Sequence, residues 1–289
     1  MLITAGYGET TEMSEDNFYI TLMSNVAHEI YDNKTSHFVT KLSSPLDLKG
    51  EWELGLSSVF LPNTHYNIDF RINAIKFFEY HRISDAADVN KEYRKTLAYT
   101  ARLKAGFYNT IEDLVEEVKK QWYERWGDSK VHLTESSKKF RFTLTKFQAL
   151  EMEPALASVL GFDHHFFDCR IPENSGKYRP NPGIYIHQGK YPIDINLHNN
   201  YAYIYCDIVK YSHIGNTSAP LLTVIPWLNT RKLNILSAHF ESPDYIRVAK
   251  SFIPEILIEL RDSLGRLIHF RSGSVVLKLH FRKCKPLVL

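Results

Sequence analysis

The sequence predicts a mainly β protein: an antiparallel sandwich or barrel, interrupted once by an α/β block. Three observations predict it. Aromatic residues make up 13% of the 289 residues, with 17 Tyr and 17 Phe, and broad flat side chains pack well across a pleated surface. Apolar residues recur with period two in both terminal thirds, punctuated at short intervals by Pro, Gly and Asn. Between residues 106 and 127 the period changes to that of a helix.

Residues 1–16 read as an acidic arm. They hold Glu9, Glu12, Glu15 and Asp16 with no Lys or Arg, a net of −4, and show no apolar period. Such a segment is loosely ordered unless a neighbouring subunit holds it. The alternation then begins. Phe18, Ile20 and Leu22 alternate with Tyr19, Thr21 and Met23, and Trp52, Leu54 and Leu56 with Glu53, Gly55 and Ser57. Between them, residues 37–42 form a short strand closed by Ser43, Ser44 and Pro45, and residues 72–82 form a fourth with Phe77, Phe78 and Tyr80.

The middle differs. After a strand at 96–104, Ile111, Leu114, Val115, Val118, Trp122 and Trp126 fall on one face of a helix. Asn109 or Thr110 caps it, Glu112 and Asp113 sit in its first turn, and Gly127 ends it. A charged hairpin follows at 131–134 and 140–145, then a short helix at 154–160 with Pro154 in its first turn and Gly161 as its stop. These elements define an inserted lobe at residues 85–164, leaving 17–84 and 165–289 for the β domain. Residues 163–200, rich in Pro, Gly, His and Asn, read as an ordered loop region with short strands.

Strands resume at 201–209 and 221–225. Ile256, Ile258 and Leu260 then face one way while Glu255, Glu259 and Arg261 face the other. Asp262 to Gly265 turn the chain into 266–270, and Ser272-Gly273 turn it again into Val275, Leu277, Leu279 and Phe281, alternating with Lys278, His280 and Arg282. The expectation is a two-turn meander with one buried face.

Composition excludes several functions. Lys plus Arg is 35 and Asp plus Glu is 33, so the formal charge of +2 argues against a dedicated nucleic-acid binder. Cys169, Cys206 and Cys284 are an odd count far apart and build neither a disulfide framework nor a Cys-rich zinc site; three reduced thiols in an intracellular product are expected. The first eight residues lack the basic start and apolar run of a secretory signal. The longest apolar runs, such as 220–228, fall far short of the roughly 20 residues that span a bilayer, so a soluble chain is expected.

The search for chemistry is mostly negative. In Asp163-His164-His165-Phe166-Phe167-Asp168 the adjacent histidines point to opposite sides of an extended chain and cannot easily share an ion. Neither His-x-Asp nor His-x-x-x-His spacing occurs, so no catalytic metal and no cofactor is expected. Nucleophile-elbow, Walker and dinucleotide-binding signatures are absent. Glu116 and Glu117 belong to a solvated helix face. Asp194 and Asp207, near strand ends, are the carboxylates of an alternative reading, a carbohydrate-binding or glycosidase-like β-sandwich. Residues 247–289 hold nine Lys or Arg against three Asp or Glu, a net of +6. Set against the −4 arm, this basic edge suits the arm of another copy; a plain solvated strand face and weak contact with nucleic acid are the competing explanations.

Several stretches together resemble a known family. Phe18 to Asn25, Phe38 to Pro62, Gly106 to Thr110 with the helix after it, Leu160-Gly161-Phe162, Tyr203 to Val209, and Ile258 to Phe270 with the closing strand to Arg282 are similar to the minor capsid (penton) protein of Polintons, also called Mavericks or adintoviruses. Order and spacing over roughly 18–283 carry the resemblance, not one motif. It implies a single antiparallel jelly-roll β-sandwich with an inserted α/β subdomain, forming homopentamers at the fivefold vertices of an icosahedral virion after intracellular assembly. The family's major capsid protein is a double jelly roll, for which 289 residues with an insertion are too few. That protein and a second copy of this chain are the implied partners, with packaged DNA as a weak contact. The family supplies no catalytic residues. The candidate interface residues are Glu9, Glu12, Glu15, Asp16, Arg282, Lys283 and Lys285.

Overall fold

The computed structural model describes residues 16–26, 31–82, 93–126, 131–134, 136–145, 147–168, 170–172, 178–180, 185–227 and 235–284. The chain begins with β1 (Asn17–Met23), β2 (His37–Asp47) and β3 (Trp52–Pro62). There follow β4 (Ala74–Arg82), β5 (Tyr93–Arg102), α1 (Ile111–Trp126), β6 (Val131–Thr134), β7 (Lys139–Leu144) and β8 (Gln148–Met152). Next come α2 (Pro154–Val159), β9 (Phe166–Asp168), β10 (Arg170–Pro172), β11 (Tyr178–Pro180) and β12 (Tyr185–Gln188). The last part holds β13 (Tyr201–Cys206), β14 (Ser212–Ile214), β15 (Thr217–Ala219), β16 (Leu221–Pro226), β17 (Ile235–His239), β18 (Ile246–Arg247), β19 (Phe252–Arg261) and β20 (Val276–Lys283).

Two compact units result, residues 1–64 with 201–289, and residues 65–200. In the first, one sheet runs β1-β20-β3-β17, with β18 also on β3, and the other runs β16-β13-β19-β2. The pairing is nested: β1 with β20, β2 with β19, β3 with β17, and β13 with β16, all antiparallel. An antiparallel ribbon rolled so that its first strand meets its last is a jelly roll. Apolar residues of both sheets, among them Leu22, Phe38, Leu54, Ile204, Ile258 and Leu279, form one core. Each comes from the buried half of an alternating strand, as in Ile256, Ile258 and Leu260.

The second unit holds a four-stranded sheet β5-β4-β8-β9, a three-stranded sheet β12-β7-β6, and α1. Its separate core is aromatic. Phe77 meets Trp122 edge-on at 5.6 Å, Trp122 lies 5.2 Å from Phe142, and Phe142 lies 5.0 Å from Phe167. The first turn of α1 closes reciprocally: the Asp113 N–H donates to Thr110 Oγ1 and the Thr110 N–H to Asp113 Oδ2, each at 3.1 Å. Gly161 ends α2 at φ +87°, and a Cβ there would stand 2.1 Å from the Tyr191 carbonyl oxygen. Only glycine fits.

Four expectations are corrected. The unit boundaries lie at 64/65 and 200/201 rather than at 85 and 164: β4 pairs with β5 over its whole length and with β8, and β12 pairs with β7. The strand expected to close at Ser43–Pro45 continues to Asp47, because β2 is an edge strand and the shift between Ile253 and Glu255 accommodates Pro45. Residues 266–270 form no strand and keep only the bridge Arg261↔Leu267. The terminal meander is therefore two strands in opposite sheets, β19 and β20, whose buried faces meet across the core. Residues 1–15, Gly127, Cys169 and the apolar 286–289 lie outside the described residues.

Candidate assembly surface

The outward face of β1, β20 and β3 carries a continuous ladder of rings and charges. Outward positions of an alternating strand bring Tyr19, opposite His280 in the register, into stacking at 4.3 Å between ring centres. Lys278 Nζ lies 4.6 Å from the Tyr19 ring centre. The Tyr245 hydroxyl and His280 Nδ1 share a hydrogen bond of 2.8 Å. Arg282 lies over the Tyr245 ring and donates from Nε and Nη2 to Glu53 Oε2 at 3.0 and 2.9 Å. Gly55 makes room for this: a Cβ there would stand 2.8 Å from Pro243 Cβ and 3.1 Å from Tyr245 Cδ1.

Burial, and then the neighbouring Arg282 charge, hold the His280 imidazole below its usual range, so at neutral pH it stacks as a neutral ring. Tyr19 and Met23 keep substantial exposed area on the same face. The candidate interface residues divide. Arg282 is engaged with Glu53 and Tyr245 of its own chain. Lys283 Nζ stands 3.7 Å from Asp16 Oδ1, and its backbone N–H donates to the Asp16 carbonyl at 2.8 Å. Glu9, Glu12, Glu15 and Lys285 lie outside the described residues.

The outward face of the second sheet carries another network. Glu259 accepts from Arg261 at 2.8 and 3.0 Å, and its other oxygen lies 3.0 Å from His37 Nδ1. The Arg261 guanidinium lies 5.9 Å from the Tyr205 ring centre. Outward alternation on β20 already marked Lys278, His280 and Arg282. Tyr245 had no sequence signal, because the short loop that holds it has no period.

Three further carboxylates are held by local partners. Asp163 binds His164 Nδ1 at 2.8 Å and Lys190 Nζ at 3.2 Å, and these partners, His164 foremost, hold its carboxyl below the usual range. Asp207 Oδ1 accepts the Leu257 N–H at 2.8 Å and Oδ2 accepts Lys250, while Asp194 Oδ1 accepts the Asn196 N–H at 3.0 Å. These two carboxylates belong to different units. Burial pushes the Cys206 thiol up to about 12, so it stays protonated at neutral pH. Among the described residues no group of three or more His, Cys, Asp or Glu is placed to hold a metal ion, and no helix is long and apolar enough to cross a membrane.

No protein-family model and no curated protein matches the chain. Among solved structures, the chain is similar to the mavirus penton protein at 10% identity and TM-score 0.44, covering 93% of this chain and 99% of that one. It is likewise similar to a chain of the Sputnik virophage at 12% identity and TM-score 0.42, covering 93% and 98%.

Proposed function

We propose that the chain is a structural capsid subunit, a minor capsid (penton) protein that closes into rings of five at the vertices of an icosahedral virion. The nested pairing of the eight sandwich strands carries this reading. Jelly rolls of this order serve as capsid subunits, and also as lectin and cupin domains. An enzyme on this scaffold needs polar groups converging in its interior or at its mouth. The core between the two sheets is aliphatic and aromatic, and buried polar side chains of the sandwich such as Ser24, Asn33 and Asp262 are engaged with the backbone. The segments similar to the Polinton penton family point the same way.

A ring of one chain uses a heterologous interface, in which one face meets a different face of the next copy. Apolar and main-chain contacts stabilise it, while the acidic residues Glu9, Glu12 and Glu15 and the basic end of the chain, Lys285 included, steer association. The double jelly-roll major capsid protein surrounds the ring in the virion, and packaged DNA is at most a weak contact. Size-exclusion chromatography with light scattering tests the reading. The expected mass is five times the 33.6 kDa chain. A monomer throughout the micromolar range at low salt would overturn autonomous ring formation and make assembly depend on the major capsid protein.

A further inference from the structure

We infer that a recess at one end of the sandwich binds a neutral pyranose sugar, such as the terminal unit of a glycan. The alternation of two strands builds it. Leu22 on β1 and Phe38 on β2 point inward and are wholly buried; two residues beyond them, Ser24 and Ser36 take the next inward positions. The core therefore ends in two hydroxyls where further apolar side chains would close it. Both serines line a cavity of about 290 Å³ whose apolar wall is Ile268 and Phe270. Ile268 belongs to the core, and the Phe270 ring lies 5.9 Å from that of Trp227. Ser36 is only 7% exposed; its carbonyl accepts the Leu260 N–H at 2.8 Å, but no described residue bonds its hydroxyl. Polar groups this deeply buried find partners, and the cavity is the one place left for this one. Ser24 Oγ accepts the Val275 N–H at 2.9 Å and keeps its own proton to donate.

The walls are fixed before any ligand arrives. Asn33 Nδ2 donates to the Val26 and Val39 carbonyls at 2.8 and 3.0 Å, and its Oδ1 accepts the Val39 N–H at 2.8 Å. Lys34 and His37 exchange main-chain hydrogen bonds of 2.8 and 3.1 Å, and Thr35 Oγ1 donates to the Gly273 carbonyl at 3.1 Å. A preformed site saves the ordering cost of binding. The ligand class follows from the lining. None of the described lining residues is a carboxylate, which gives a cation no partner and a glycosidic bond no acid to cleave it. The lysine there, Lys34, already lies 3.2 Å from Asp32, and both side chains are mostly exposed, so an anion gains little hold. What remains is neutral: hydroxyls beside an aromatic ring and an aliphatic floor. A pyranose matches both, with a hydroxyl edge for the serines and a C–H face for Phe270. The volume stands at the lower end of the roughly 300–1,000 Å³ of ligand pockets, room for one sugar unit rather than a chain. The inference does not depend on the ring, because every group it uses belongs to one sandwich.

Saturation-transfer NMR on the full chain tests it, with the methyl glycosides of glucose, galactose, mannose and N-acetylglucosamine as probes. Transfer to at least one is expected, strongest at the protons of its C–H face, with a Kd in the millimolar range, as a few hydrogen bonds in a small recess allow. Ser36→Ala should weaken that glycoside about five- to tenfold, the scale of one hydrogen bond. The same variant should keep or raise the thermal midpoint, because the hydroxyl it removes has no partner in the fold. Phe270→Leu should weaken binding and erase the preference for the C–H face. No transfer to any of the four at about 10 mM would overturn the inference. Transfer that survives both substitutions unchanged would also overturn it, by placing the sugar elsewhere. A lowered midpoint in Ser36→Ala with unaltered binding would make the serine a structural group and overturn it equally. None of these results bears on the light-scattering test of ring formation, so the two readings fail separately.

Discussion

The guanidinium of Arg282 lies 3.4 Å from the centre of the Tyr245 ring while its two donors hold Glu53 on the neighbouring strand. One side chain thus ties the last sandwich strand to the third and to the loop before β18. The site is partly exposed, so the expected contribution is modest. Arg282→Ala should lower stability by about 1 kcal/mol, and Arg282→Lys should recover little, because an ammonium neither stacks flat nor bonds Glu53 through two donors. Thermal denaturation of both variants checks this; full recovery by lysine would show that charge alone matters.

Two glycines mark close approaches. Gly161→Ala forces a Cβ against the Tyr191 carbonyl in a left-handed backbone, and should cost about 3 kcal/mol or prevent folding. Gly55→Ala meets side-chain atoms of Pro243 and Tyr245, which can shift, and should cost about 1–2 kcal/mol. Chemical denaturation midpoints should rank them in that order.

The two units have separate cores, with Phe281 in one and Trp122 in the other, both almost wholly buried. Phe281→Ala and Trp122→Ala should each destabilise by about 3–5 kcal/mol. Their effects in the double variant should add to within about 0.5 kcal/mol, since they share no partner. A larger coupling energy would show that the cores respond as one.

Acid should weaken the inserted unit. Burial holds the His65 imidazole down to about 4, against about 6.5 in an unfolded chain. The unfolded state binds the proton first, so this contribution is complete above about pH 6.5 and is lost as pH falls toward 4, with an upper bound of about 3 kcal/mol. His187, also held to about 4 by burial, acts in the same direction. Urea unfolding at pH 7 and pH 4.5 measures the loss, and His65→Leu should flatten it.

The sequence by itself determined the buried face of the long alternating strands such as β19 and β20, where α1 starts, and that an α/β block interrupts a β chain. Those features are local: the two-residue repeat sets a buried face, and Thr110 with Asp113 closes a helix turn through contacts three residues apart. The tertiary structure decided which strand pairs with which. The repeat that buries Ile258 and Leu279 is the same whether β19 and β20 lie in one sheet or face each other across a core. β4 likewise has a strand pattern that suits either unit, and only its pairing with β5 and β8 places it in the insertion. The ladder of Tyr19, His280, Tyr245 and Arg282 joins three distant stretches, and the first strand finds the last across more than 250 residues of chain, Asn17 opposite Arg282. Pairing of that range is selected by how the buried faces pack together, a property that no window of neighbouring residues contains.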